Sequence, residues 1–112
     1  MTRTAVITGL GATTPIGGDV PTFWENALKG VSGAATMEHD WVERYELPVT
    51  FAAELTVPPS EVLTKVESKR QDPATQMATV AAREAWKDAG LDSADIDGDR
   101  LAVAFGTGIG GV

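Results

Sequence analysis

The hydrophobic pattern along the chain changes period several times. Thr4-Ala5-Val6-Ile7-Thr8 is a short, largely β-branched run that ends at Gly9 and predicts a buried strand. A turn-rich loop of small residues follows, from Gly9 to Gly18. Asp19 then stands where it can cap a helix, and Pro21 is tolerated in a first turn. In that helix Phe23 and Ala27, and Trp24 and Leu28, lie four apart, which predicts one apolar side. Gly30 stops it.

Residues 31–59 are less regular, with Val49 to Leu55 as a candidate strand. Pro58-Pro59-Ser60 opens a short helix expected to carry Val62, Leu63 and Val66 on one face. Asp72-Pro73 pairs an N-cap with proline at the first helical position, a strong start signal. The helix it opens carries Ala74, Ala78, Ala81, Ala82, Ala85 and Ala89, so its face can lie close to a neighbour, and Gly90 caps its end. Leu101-Ala102-Val103-Ala104-Phe105 predicts a second buried strand, followed by the glycine run from Gly106 to Gly111. Strands alternating with helices favour an α/β layered fold with a mostly parallel sheet. Two strands make a poor sheet, so the 112 residues read as the beginning of a larger domain.

Composition narrows the function classes. Apolar residues make up 43% and charged residues 22%, a globular composition. The formal charge of −7 argues against a nucleic-acid partner, which requires a basic face. There is no cysteine, which excludes a disulfide framework, a thiolate metal site and a cysteine nucleophile within these residues. The apolar run after Met1 is too short for a signal sequence or a membrane span, so the expected setting is the cytoplasm, away from a membrane.

Few residues suggest chemistry on their own. Gly9-x-Gly11 after a strand invites a dinucleotide-binding reading, but Thr14 stands where the third glycine belongs and the helix opens only near Val20. A tight structural turn fits better. The second glycine run lacks the lysine and hydroxyl residue of a phosphate loop. Ile109 is its only large apolar side chain, and its glycines allow close approach to a ligand or a second subunit. His39, flanked by Glu38 and Asp40, makes neither a metal site nor a triad and is expected in an exposed loop. Trp24, Trp41 and Trp86 are expected in the core or at an interface. No Gly-x-Ser-x-Gly nucleophile elbow occurs. Lys65, Lys69 and Arg70 stand out against the acidic background, with Glu67 expected to offset them in part. Lys65 and Lys69 share a helix face if the helix reaches that far. Neither a metal site nor a cofactor is expected.

Taken in order, these segments resemble the β-ketoacyl-acyl carrier protein synthases. The opening Arg3 to Gly11 with Thr14-Pro15-Ile16-Gly17 is similar to the start of that family. Trp24-x-x-x-Leu28-x-Gly30-x-Ser32-Gly33, Lys69-Arg70-Gln71-Asp72 with Gln76, Ala85-x-x-x-Ala89-Gly90-Leu91 and the run from Gly106 to Gly111 follow in the family's order. Gln71 departs from the family's usual methionine, and Pro73 from its usual large residue. The elongating type II synthases of bacterial fatty-acid synthesis are the nearest in pattern, with polyketide ketosynthases second.

The resemblance implies a thiolase-like fold of α-β-α-β-α layers, of which residues 1–112 are the N-terminal part, in a homodimer. It implies acyl transfer from acyl carrier protein to a cysteine, then decarboxylative condensation with malonyl carrier protein, assisted by histidines and a backbone oxyanion hole. The cysteine and histidines lie outside these residues, so the chain alone is expected to be inactive. By the same resemblance Gly108 and Ile109 border the acyl pocket, and Lys65, Lys69 and Arg70 receive the acidic carrier protein. A non-catalytic module that pairs with a ketosynthase or carrier protein is the rival reading.

Overall fold

The computed structural model describes residues 2–111. Five α-helices are assigned: α1 (Val20–Leu28), α2 (Asp40–Arg44), α3 (Pro59–Val62), α4 (Lys65–Arg70) and α5 (Pro73–Asp88). Two three-residue strands, β1 (Ala34–Thr36) and β2 (Phe51–Ala53), pair antiparallel with Ala35 opposite Ala52. Single 3-10 turns follow at Leu91–Ser93 and Gly98–Arg100.

Local side-chain chemistry sets most helix boundaries. Asp19 accepts the Thr22 amide at 2.8 Å to start α1, and Asp72 accepts the Thr75 amide at 3.0 Å to start α5. Each helix takes a proline in its first turn, where a missing N–H costs nothing. Gly30 and Gly90 follow the helix ends with φ of +67° and +68°, the left-handed region that favours glycine. At the end of α1 the Gly30 amide donates to Ala27 and the Val31 amide to Asn26, which satisfies two last-turn carbonyls.

The helical region before α5 differs from expectation. It splits into α3 and α4 because Thr64 starts a new helix through a reciprocal cap with Glu67. Leu63, between the two helices, is buried, whereas Val62 and Val66 are exposed, so these three residues do not form one face. In α1 the half-buried positions are Val20, Phe23 and Asn26, while Trp24 and Leu28 stand in solvent. Asn26 turns inward because its amide donates to the Ile16 carbonyl at 2.7 Å. Trp24 and Trp41 are exposed and Trp86 is half-buried, so none of the tryptophans lies in the core.

The two runs expected as buried strands are neither paired nor buried. Residues 4–8 and 101–105 carry no ladder, and Ile7 and Val103 are 84% and 77% exposed. A β-branched run becomes a strand only when a second backbone takes up its N–H and C=O groups. The antiparallel β1–β2 pair is the only sheet among the described residues, in place of the expected parallel one. Among the described residues the buried apolar side chains are Val42, Leu63 and Val80. The accessible surface is 9128 Å², against about 5,900 Å² for a compact monomer of this mass. The radius of gyration, 17.4 Å, likewise exceeds the roughly 13 Å of a compact chain of this length.

The first glycine loop lies directly on α5. A Cβ at Gly9 would sit 2.8 Å from the Ala89 Cβ, and one at Gly11 would overlap the Ala81 carbonyl and reach 2.8 Å from the Ala85 nitrogen. The alanine face of α5 therefore meets bare backbone. Carboxylates on the same helix tie the loop down. Asp88 accepts the Leu10 amide at 2.9 Å, and Glu84 accepts both the Ala12 and Val20 amides at 2.8 Å. The loop is the structural turn expected from its spacing. Its Leu10 and Ala12 amides are already committed to carboxylates, whose charge would repel a phosphate.

Two outcomes follow from this packing. Gly11→Ala in the larger domain is expected to cost about 1–3 kcal/mol, because the added methyl strikes helix backbone that cannot yield. Gly98→Ala, whose Cβ would meet nothing within 4 Å, should stay within about 0.5 kcal/mol of the parent in the same denaturant titration. The 112-residue chain by itself is expected to bind a hydrophobic dye and to melt without a cooperative transition. A monodisperse monomer with a sharp calorimetric transition would contradict that expectation.

Candidate functional site

Two regions gather the residues that the sequence marks for chemistry, and both are built on α5. The first is the exposed face of α4. Lys65 and Lys69 both fall within this helix, four residues apart, and Arg70 ends it. All three are exposed, and none forms an ion pair among the described residues. Cations in the last turn of a helix also complement its dipole.

Polar contacts between α4 and α5 fix the direction in which this face points. Arg83 of α5 donates to the Glu67 carboxylate of α4 at 2.5 Å. Gln76 of α5 donates to the carbonyls of Ser68 and Gln71 at 3.0 and 2.9 Å, covering the open end of α4. Gln71 in turn accepts the Thr79 hydroxyl at 3.2 Å, so the residue that departs from the family pattern makes a contact of its own. Proline at position 73 fits the first turn of α5.

Glu67 is bound from both sides, by Arg83 and by the amide and hydroxyl of Thr64. The Arg83 hydrogen bond, then the Thr64 bonds, lower its pKa to about 2. The same pairing raises the Arg83 pKa. The carboxylate expected to offset the basic cluster is therefore paired with α5. Asp72 is similarly committed, its carboxylate held below the usual range by the Thr75 hydroxyl and amide.

The second region lies between the N-terminal half of α5 and the glycine run. A Cβ at Gly111 would sit 2.5 Å from the Asp72 Cβ, so this backbone too comes close to α5. An open groove of about 380 Å³ runs between them, lined by Ala74, Met77 and Ala78 on the helix and by Phe105, Thr107 and Gly110 opposite. Its lining does not include Gly108 or Ile109. Ile109 is 82% exposed at the loop tip, where the Gly110 amide donates to the Thr107 hydroxyl at 3.0 Å and Gly110 takes φ +81°.

His39 belongs to neither region. It precedes α2, stacks on Trp41 at 5.1 Å and meets Glu54 at 2.7 Å, with its side chain 41% exposed. It is exposed and lies in the loop just before α2, as the sequence reading expects. Among the described residues no group of three His, Asp or Glu side chains is arranged to hold a metal ion. Glu67, Gln76 and Arg83 were not legible as site-forming residues, except that Thr64-x-x-Glu67 is a capping-box spacing.

Comparison with known proteins identifies the family. Residues 2–112 match the family model described as beta-ketoacyl synthase, N-terminal domain. The chain is 49% identical over 111 residues to a 3-oxoacyl-[acyl-carrier-protein] synthase 2 of Staphylococcus aureus, covering 98% of this chain and 26% of that protein. It is 36% identical over 105 residues to a protein of the same name from Mycobacterium bovis, covering 94% of this chain and 25% of the relative. The chain thus spans about a quarter of the length of these curated relatives. With the family model matching almost every residue, the chain belongs to the β-ketoacyl synthase N-terminal domain family.

Proposed function

We propose that residues 1–112 are the N-terminal part of a thiolase-like ketosynthase domain, layered α-β-α-β-α, in an enzyme that elongates acyl chains in fatty-acid biosynthesis. An acyl group passes from the thiol of acyl carrier protein to a cysteine of the enzyme by thioester exchange. Malonyl carrier protein then loses carbon dioxide, and the resulting carbanion attacks the acyl thioester. The β-ketoacyl product leaves on the carrier and the enzyme thiol is freed. This segment has no cysteine, and its single histidine is engaged with Glu54 and Trp41. Its share of the work is therefore docking and pocket lining, and alone it is inactive.

The observation that carries this reading is α4, where Lys65, Lys69 and Arg70 stand unpaired among the described residues on a helix anchored to α5. A chain of net charge −7 receives an acidic protein through local potential, not through net charge. The names of the relatives, which contain the acyl carrier protein, support the same partner. The proposal includes a homodimer and a cytoplasmic setting for the complete enzyme. The large exposed apolar surface supports coverage of this segment by further protein, and no helix among the described residues is long and apolar enough to cross a membrane.

The docking face is tested in the complete enzyme. Lys69→Glu with Arg70→Glu is expected to weaken carrier-protein binding by about tenfold or more at low salt, and by less as salt rises, because the Debye length is about 10 Å at 0.1 M. Unchanged affinity at low salt would reject the docking face. The acyl pocket is tested at Ile109, which stands largely exposed in this segment. Ile109→Phe is expected to shorten the accepted acyl chains and Ile109→Ala to lengthen them, each with little change in melting temperature. Condensation rate against chain length measures both. Identical profiles with a large fall in melting temperature would make Ile109 a core residue.

A further inference from the structure

The charged residues around α4 are not equivalent. Glu67 sits inside the basic stretch, three residues before Arg70, a spacing at which a carboxylate and a guanidinium on one helix are neighbours. Left to itself, Glu67 would pair with Arg70 and remove one of the three cations from the face. It does not, because Arg83 draws the carboxylate toward α5 and Thr64 holds it there through the cap. Asp72, the next acid along the chain, is bound to Thr75. Glu61 of α3 is the remaining nearby acid, exposed and without an ion-pair partner among the described residues.

We infer that Arg83 is a positioning residue for the carrier-docking face, holding Glu67 away from Arg70 so that Lys65, Lys69 and Arg70 face an acidic partner unopposed. The inference rests on the docking role proposed above. Arg83 does this from 16 residues away, on a helix that itself carries none of the three cations. Its side chain is half exposed, so replacing it removes little packing. Gln76, which holds the end of α4 independently, keeps the helix seated when the ion pair is removed.

A double-mutant cycle in the complete enzyme tests this, with a bacterial acyl carrier protein as the probe and its Kd at low salt as the readout. Arg83→Met is expected to weaken binding about three- to fivefold, the scale of one exposed charge pair. Glu67→Gln keeps the capping hydrogen bond and should leave Kd within about twofold of the parent, since that carboxylate is already withdrawn. The double variant should return to within about twofold of the parent, because no carboxylate remains to compete for Arg70. Arg83→Gln serves the same cycle if the methionine variant is insoluble. A double variant as weak as Arg83→Met would show that Arg83 only anchors α4, and equal gains from Glu67→Gln in both backgrounds would reduce the effect to net charge. Either result overturns the inference. Failure of the docking face itself is read separately, as unchanged affinity when Lys69 and Arg70 are reversed.

Discussion

Two carboxylates on one face of α5 carry the first glycine loop. Glu84 accepts the Ala12 and Val20 amides and Asp88 accepts that of Leu10, across 64 to 78 residues of sequence. These bonds are possible only because Gly9 and Gly11 let the loop backbone lie against Ala81, Ala85 and Ala89. Any side chain at those glycines would lift the loop from the helix and break its amide contacts. Glu84 also places a negative charge at the start of α1, where the helix dipole favours it, so one residue orients both the loop and the next helix.

The same helix organises the rest of the segment by different means along its length. Near its C-terminus it meets the first loop through alanine, glycine and carboxylate. In its middle, Arg83, Thr79 and Gln76 reach α4 and the Gln71 carbonyl. At its N-terminus Asp72 caps the helix and packs against Gly111. One long helix thereby sets where the basic face, the glycine run and α1 stand relative to one another. That arrangement gives electrostatic direction to a chain whose net charge is strongly acidic: Glu67 and Asp72 are engaged within the structure while Lys65, Lys69 and Arg70 are left outside.

The apolar runs show the opposite situation. Residues 4–8 and 101–105 have the composition of sheet interior, yet they stand exposed and unpaired here. Helices close their hydrogen bonds within a few residues, so α1 and α5 form from their own sequence. A strand closes its bonds only with another strand, and the one sheet among the described residues pairs other segments. Much of the apolar surface of this segment is accordingly organised for contacts beyond those it makes with itself.

The sequence by itself determined what depends on near neighbours. The Asp19 and Asp72 caps, the prolines behind them, the terminating Gly30 and Gly90, and the alanine face of α5 were all legible, because each acts within about one helical turn. The order of the family's signatures was legible for the same reason. The break at Thr64 was also encoded locally, in the Thr64 and Glu67 spacing, but the apolar pattern around it suggested one continuous face. Only the tertiary structure decided that Glu84 and Asp88 serve the first loop, that Arg83 takes Glu67 away from the basic cluster, and that Trp24 and Leu28 lie in solvent. Spacing along a helix shows which residues share a face. What that face meets depends on elements distant in sequence, because a carboxylate or guanidinium on a flexible stem pairs with whichever partner the fold brings within reach.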